Sequence, residues 1–265
     1  MKSLLKVLGV IGGILAVSFV TFVAMGHSPR ELAHLGEVRN VYQDGAHEVV
    51  IPFPDGPRER LLPEVPVTTS GGYAFITEDR GVPVRHDPCR PIRWVLNTDG
   101  MPAFAEQEIQ AAIADIELRS GLKFEFAGYT DEPLDFERSL FQDRYGDDYA
   151  PVIIGFSDAS QTPDLAGAVT GVGGSTAIQG AFGPQRYLRS GVVVLDADDL
   201  KSRFASTSGA LQARAIIMHE LAHVLGLAHV DDPSQLMHPT HDRQLTWGDG
   251  DLAGLAIAGA GPCES

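Results

Sequence analysis

One stretch near the end of the chain limits what it can fold into: His219-Glu220-Leu221-Ala222-His223-Val224-Leu225-Gly226-Leu227-Ala228-His229. On a helix, residues four apart project from one face, so His219 and His223 present two imidazoles side by side. That spacing suits two nitrogens on one Zn²⁺, each at about 2.0–2.1 Å. A straight helix cannot bring His229 round to the same ion. Gly226 resolves this, because glycine takes φ > 0 at little cost and ends the helix with a turn. His229 then approaches as a third ligand. Three histidines leave a coordination position open, the arrangement of catalytic zinc sites. Glu220, next to the first ligand, is placed beside the ion without ligating it. Leu221, Val224 and Leu225 give the same helix an apolar face, so it must pack into a core.

The chain around this motif is globular in balance, with 44% apolar and 21% charged residues. Ile92–Leu96 reads as a strand between Pro91 and Asn97. Ala105–Arg119 reads as an amphipathic helix with Ile109, Ala112, Ile113 and Ile116 on one face, closed by Gly121. Lys123–Ala127, Pro151–Phe156 and Gly191–Leu195 read as further strands, Gly209–Leu225 as the motif helix and Trp247–Ala258 as a last helix. Residues 131–148 read as an acidic, irregular loop. Strands and helices alternate early and helices finish the chain, which predicts a mixed α and β domain with a helical C-terminal part.

The formal charge is −15, most of it past residue 70. Nucleic-acid binders are basic, so no nucleic-acid partner is expected. At the N-terminus, Val7–Met25 is an uncharged run of 19 residues preceded by Lys2 and Lys6. As a helix it reaches about 28 Å, close to a bilayer core. Residues 1–26 are therefore expected as a transmembrane signal anchor, with the rest of the chain outside the cytoplasm. The alternative is a secreted protein after cleavage at Ala24-Met25-Gly26. Both readings export the domain, and in an oxidising compartment Cys89 and Cys263 are expected to pair. Residues 27–70 carry Pro52, Pro54, Pro57, Pro63 and Pro66 and read as an extended stem, in which alternating Glu48-Val49-Val50-Ile51 reads as a short strand and a folded prodomain is the lesser alternative; this puts the domain at 71–265. His27, His34, His47 and His86 are scattered and need no role.

The motif and its surroundings resemble the metzincin zinc endopeptidases, and among them the matrixins. The pattern H-E-x-x-H-x-x-G-x-x-H is followed there by a Met-turn. Here Leu236-Met237-His238-Pro239 occupies that place, with His238 where matrixins typically have tyrosine. The resemblance extends more loosely over residues 90–265. It implies an α+β fold with a small mixed, twisted sheet, an active-site helix and a helical C-terminal subdomain. It implies Met237 as a hydrophobic floor under the metal, Pro239–His241 as a pocket wall and Gly173-Gly174-Ser175-Thr176-Ala177 as the start of an edge strand, with Gly174 contacting substrate. Asp196 and Asp199 match the family's calcium-ligand positions imperfectly, so Ca²⁺ is a secondary expectation. Ile178 and Val194 replace its structural-zinc histidines, so one zinc is expected. The family's prodomain switch, Pro-Arg-Cys-Gly, is absent, and Val230 stands where serine is usual.

These readings predict a monomeric zinc endopeptidase acting outside the cytoplasm on extended polypeptides, with Glu220 as general base. Two alternatives remain open at this point. One is a zinc-holding binding module without proteolysis, and the other a zinc amidase on cell-wall peptides. The chain has no Gly-x-Ser-x-Gly elbow. Gly171-Val172-Gly173-Gly174 lacks the Lys-Ser/Thr of a phosphate loop.

Overall fold

The structure, a computed structural model, describes residues 17–22, 24–25, 34, 36–54, 58–240 and 244–264. The run Val7–Met25 lies largely outside these residues; its part at 17–22 is helical. Among the described residues, no helix is long and apolar enough to cross a membrane.

The centre is a five-stranded sheet. Its strands are β5 (Ile92–Asn97), β6 (Phe124–Thr130), β7 (Val152–Ser157), β8 (Gly171–Gln179) and β9 (Arg186–Asp196), in the order β6-β5-β7-β9-β8. Neighbours from β6 to β9 run parallel, while β8 runs antiparallel to β9 and forms one edge. The central strands are buried on both faces, so they read as continuous apolar runs. Trp94, Leu96, Val152, Ile154, Phe156, Val193 and Leu195 face one apolar cluster. Their neighbours Val95, Ile153, Val192 and Val194 face another. This is the two-residue period of a strand.

Three longer helices lie against the first cluster: α1 (Ala105–Ser120), α3 (Gly209–Val224) and α4 (Asp249–Gly259). Helix α1 connects parallel strands β5 and β6. It buries Ile109, Ala112, Ile113 and Ile116, and Gly121 ends it at φ 68°. A fourth helix, α2 (Ala197–Phe204), follows β9 directly. Asp196 makes it a helix, because its carboxylate accepts from the N–H groups of Asp198 and Asp199 and so caps the first turn.

The segment expected as a stem runs along the domain. Residues 36–54 and 58–70 form a strap along the domain. Strands β1 (Val41–Asp44) and β2 (His47–Val50) pair antiparallel. Ile51, 1% exposed, and Phe53 pack with Leu140, Tyr149, Ile178 and Ala181. The prolines that read as a spacer keep this segment extended, and residues 51 and 53, two apart, then point to one side. The Asn40 side chain donates to Gly180 O and Gly183 O, and the Arg60 guanidinium donates to Gly259 O and Gly261 O. A two-stranded hairpin, β3 (Glu78–Asp79) and β4 (Val82–Pro83), leads from the strap towards the sheet.

The acidic loop 131–148 is held inward by one buried ion pair. Arg138 Nη2 lies 2.6 Å from Glu132 Oε2, and Tyr145 and Gln142 also donate to that carboxylate. Burial pushes the Glu132 carboxyl up, but these donors hold it below its usual range. Cys89 and Cys263 form a disulfide, the pairing expected from the sequence. Beside it Glu264, 3% exposed, is ion-paired with buried Arg189 and accepts from Ala181 N.

Candidate metal centre

Helix α3 carries His219 and His223 on one face, and the chain turns back as the sequence requires. Gly226 adopts φ 93°. Gly226 N donates to His223 O and Leu227 N to Ala222 O, a paired closure that satisfies the last helical carbonyls. His229 then comes within reach. Its Nε2 lies 3.0 Å from His219 Nε2 and 3.2 Å from His223 Nε2, and those two lie 3.1 Å apart.

The remaining ring nitrogens decide what this triangle fits. His219 Nδ1 is 2.7 Å from Leu236 O, and His223 Nδ1 is 2.7 Å from Leu227 O. A carbonyl only accepts, so each Nδ1 carries the proton and each Nε2 presents a lone pair. Converging lone pairs at this distance repel unless a cation lies between them. Imidazole nitrogens oriented through their second N–H suit zinc. Burial pushes His223 down to about 4, and burial with the nearby His238 lowers His229, so both rings are neutral donors at pH 7. Among the described residues these three histidines form a group able to hold an ion. Asp87, Cys89 and Cys263 also lie close together, but the two sulfurs are consumed by the disulfide.

Glu220 is 5% exposed, and burial raises its carboxyl to about 8. A neighbouring cation acts the other way, favouring the carboxylate. Among the described residues no hydrogen bond or ion pair holds this side chain. Strand β8 crosses the helix directly above it: a Cβ at Gly171 would lie 2.9 Å from Glu220 Oε1.

Met237 is 1% exposed, and its carbonyl accepts from Val230 N, the residue after His229, at 3.1 Å. The turn around it depends on a residue the motif does not contain. Asp251 of α4 accepts from Leu236 N at 2.5 Å, Met237 N at 3.2 Å and Gly248 N at 2.8 Å. Burial raises the Asp251 carboxyl although these three N–H groups oppose the rise. Leu236 therefore joins Asp251, through its N–H, to His219, through its carbonyl.

A second residue missed in the sequence is His86. Its Nε2 donates to Val224 O at 2.9 Å, and the Ser175 hydroxyl lies 2.8 Å from the same carbonyl. Both side chains thus meet the end of α3 one residue past His223. A lone histidine far from the motif carries no local signal of this.

The remaining expected site residues are placed as follows. Gly174 lies in β8 opposite Val192, with open space where a side chain would stand. Pro239 is exposed, two residues past Met237, and His241 lies outside the described residues. Asp196 is occupied as the α2 cap, and Asp199 pairs with Arg203 at 2.5 Å. Neither belongs to a group of three donors among the described residues. Ile178 and Val194 are buried in apolar clusters.

Comparison with known proteins places this site in a family. Two solved structures share low identity with the chain. Archaemetzincin from Methanopyrus kandleri is 14% identical with a TM-score of 0.34, covering 68% of this chain and 88% of its own. A chain from a structure described as the GM1-bound form of the ECX AB5 holotoxin is 13% identical with a TM-score of 0.35, covering 65% and 81%. No curated protein matches the chain. The Matrixin peptidase profile matches residues 103–255, more than half of the chain and the whole stretch from α1 through the three histidines to α4. The chain belongs to the matrixins, a family of zinc metallopeptidases.

Proposed function

We propose that the chain is a zinc endopeptidase that cleaves extended polypeptides outside the cytoplasm. One observation carries this reading: three histidine Nε2 atoms converge within 3.2 Å, with the buried Glu220 next to the first of them and held by no hydrogen bond or ion pair among the described residues. His219, His223 and His229 would hold the ion. When bound, zinc supplies Lewis-acid chemistry, polarising a carbonyl and making water a better nucleophile. Glu220 takes a proton from the attacking water on its carboxylate and delivers it to the leaving amine nitrogen. The carboxylate's buried surroundings favour that exchange, because a desolvated carboxylate is a stronger base than one in water. Strand β8 is an edge of the five-stranded sheet, and an extended substrate adds there as a further strand. We assign Gly174, on the edge strand, and Pro239, two residues past Met237, to the substrate rim. Export accounts for the Cys89–Cys263 bridge, since such bonds persist in oxidising compartments.

Purified full-length chain, zinc-loaded, is incubated with an unbiased peptide library alongside Glu220→Ala. The expected result is cleavage by the wild type alone, a loss of at least about 100-fold in kcat for Glu220→Ala, and equal zinc content in both. Wild-type turnover by Glu220→Ala would sink the mechanism. No cuts by either zinc-loaded protein would leave a binding module or a non-protein substrate.

A further inference from the structure

We infer that Gly171 is the positioning residue for the Glu220 carboxylate, so that the edge strand serves as the wall behind the base as well as the rail for substrate. This rests on the reading of Glu220 as general base. Strand β8 crosses α3 with Gly171 and Gly173 on the face turned to the helix, as residues two apart must be. A Cβ at Gly171 would lie 2.8 Å from Glu220 Cγ, 2.9 Å from Oε1 and 3.0 Å from Cδ. A Cβ at Gly173 would instead meet the helix backbone, 2.4 Å from Glu220 O. Neither glycine has a left-handed φ. Space, not backbone conformation, is therefore what asks for glycine at both positions.

The two glycines have different consequences. At 173 the obstacle is main chain, so a methyl group would lift the strand from the helix. At 171 the obstacle is the end of a side chain, which can move while strand and helix stay in place. Among the described residues no hydrogen bond or ion pair fixes that side chain, so the strand at Gly171, where a Cβ would stand 2.8–3.0 Å from it, is a packing restraint on its position. Displacing a proton-transfer group by even 1 Å costs up to about 100-fold in rate. Substrate adding to the free edge of β8 would brace the same wall, so occupying the rail steadies the base.

The test is a double-mutant cycle read in stability as well as turnover. Gly171→Ala is expected to lower kcat about 10- to 100-fold, with KM and zinc content within two-fold of the wild type. Its Tm should fall by about 2–4 °C in the wild type and by less than about 1 °C in a Glu220→Ala background, where the obstructing carboxylate is gone. Gly173→Ala should lower Tm equally in both backgrounds, because its obstacle is the backbone. An equal Tm loss for Gly171→Ala in both backgrounds, or an undiminished kcat, overturns the inference. If Gly171→Ala does not fold, folding of the Gly171→Ala/Glu220→Ala double variant supports it and failure of the double overturns it. The parent reading fails separately, by wild-type turnover in Glu220→Ala.

Discussion

His86 ties the end of the ligand helix to the strand-bearing half of the domain, and its burial makes it a source of pH dependence. Desolvation first, with Arg189 adding to it, holds this ring down at about 4, against about 6.5 in the unfolded chain. Between those values the unfolded state binds the extra proton, so stability is lost as pH falls from about 6.5 to about 4. The full difference is about 3 kcal/mol. His86→Gln retains a donor for Val224 O but does not titrate. Urea unfolding from pH 7 to 4 at fixed zinc should show a shallower loss in the variant; parallel curves would refute the assignment. His219, Glu220, His223, Gly226 and His229 were legible in the sequence because one helix and one turn relate them. Asp251, His86 and Gly171 were not, because each acts on a partner that only tertiary packing brings near. Met237 lies between these cases: the motif announces the turn, but the acceptor that shapes it comes from another helix.

At the scale of elements, periodicity and caps made β5, β7, α1, α3 and α4 readable to within one or two residues. Each has an apolar pattern of its own. The strap has little beyond alternating Glu48–Ile51, and most of its apolar residues make sense only against the surface they cover. Arg60 shows what the strap contributes. Its guanidinium reaches Gly259 O at 2.8 Å, Gly261 O at 3.1 Å and Gly121 O at 3.5 Å, the C-terminal ends of α4 and α1. A cation there answers unpaired carbonyls and the negative ends of two helix dipoles. Arg60→Met keeps most of the stem's bulk and removes the donors. It should cost about 2–3 kcal/mol in urea unfolding, from charge-assisted bonds of about 1.5–3 kcal/mol each, partly replaced by water. A loss below 0.5 kcal/mol (about the scatter of surface substitutions) would mean the strap is not clamping these helices.

For the whole molecule, the disulfide joins residues 174 apart in sequence and so closes most of the chain into one loop. Removing a bridge of this kind typically costs about 2–5 kcal/mol. Reductant should therefore lower the denaturation midpoint of the wild type and leave a Cys89→Ser/Cys263→Ser variant unchanged. Equal midpoints for wild type and variant under oxidising conditions would show that the bridge adds nothing. The tip of the β8–β9 hairpin has a place in the same framework. Asn40 of the strap grips Gly180 and Gly183 from one side, while Glu264, next to Cys263, holds Ala181 from the other. In mechanical terms this is a load path. Tension applied ahead of residue 36 passes through the strap into the hairpin tip, then through Glu264 and the disulfide to the loop before β5. That loop also carries His86, whose ring donates to Val224 O, so this line of load touches the ligand helix at its end, one residue past His223.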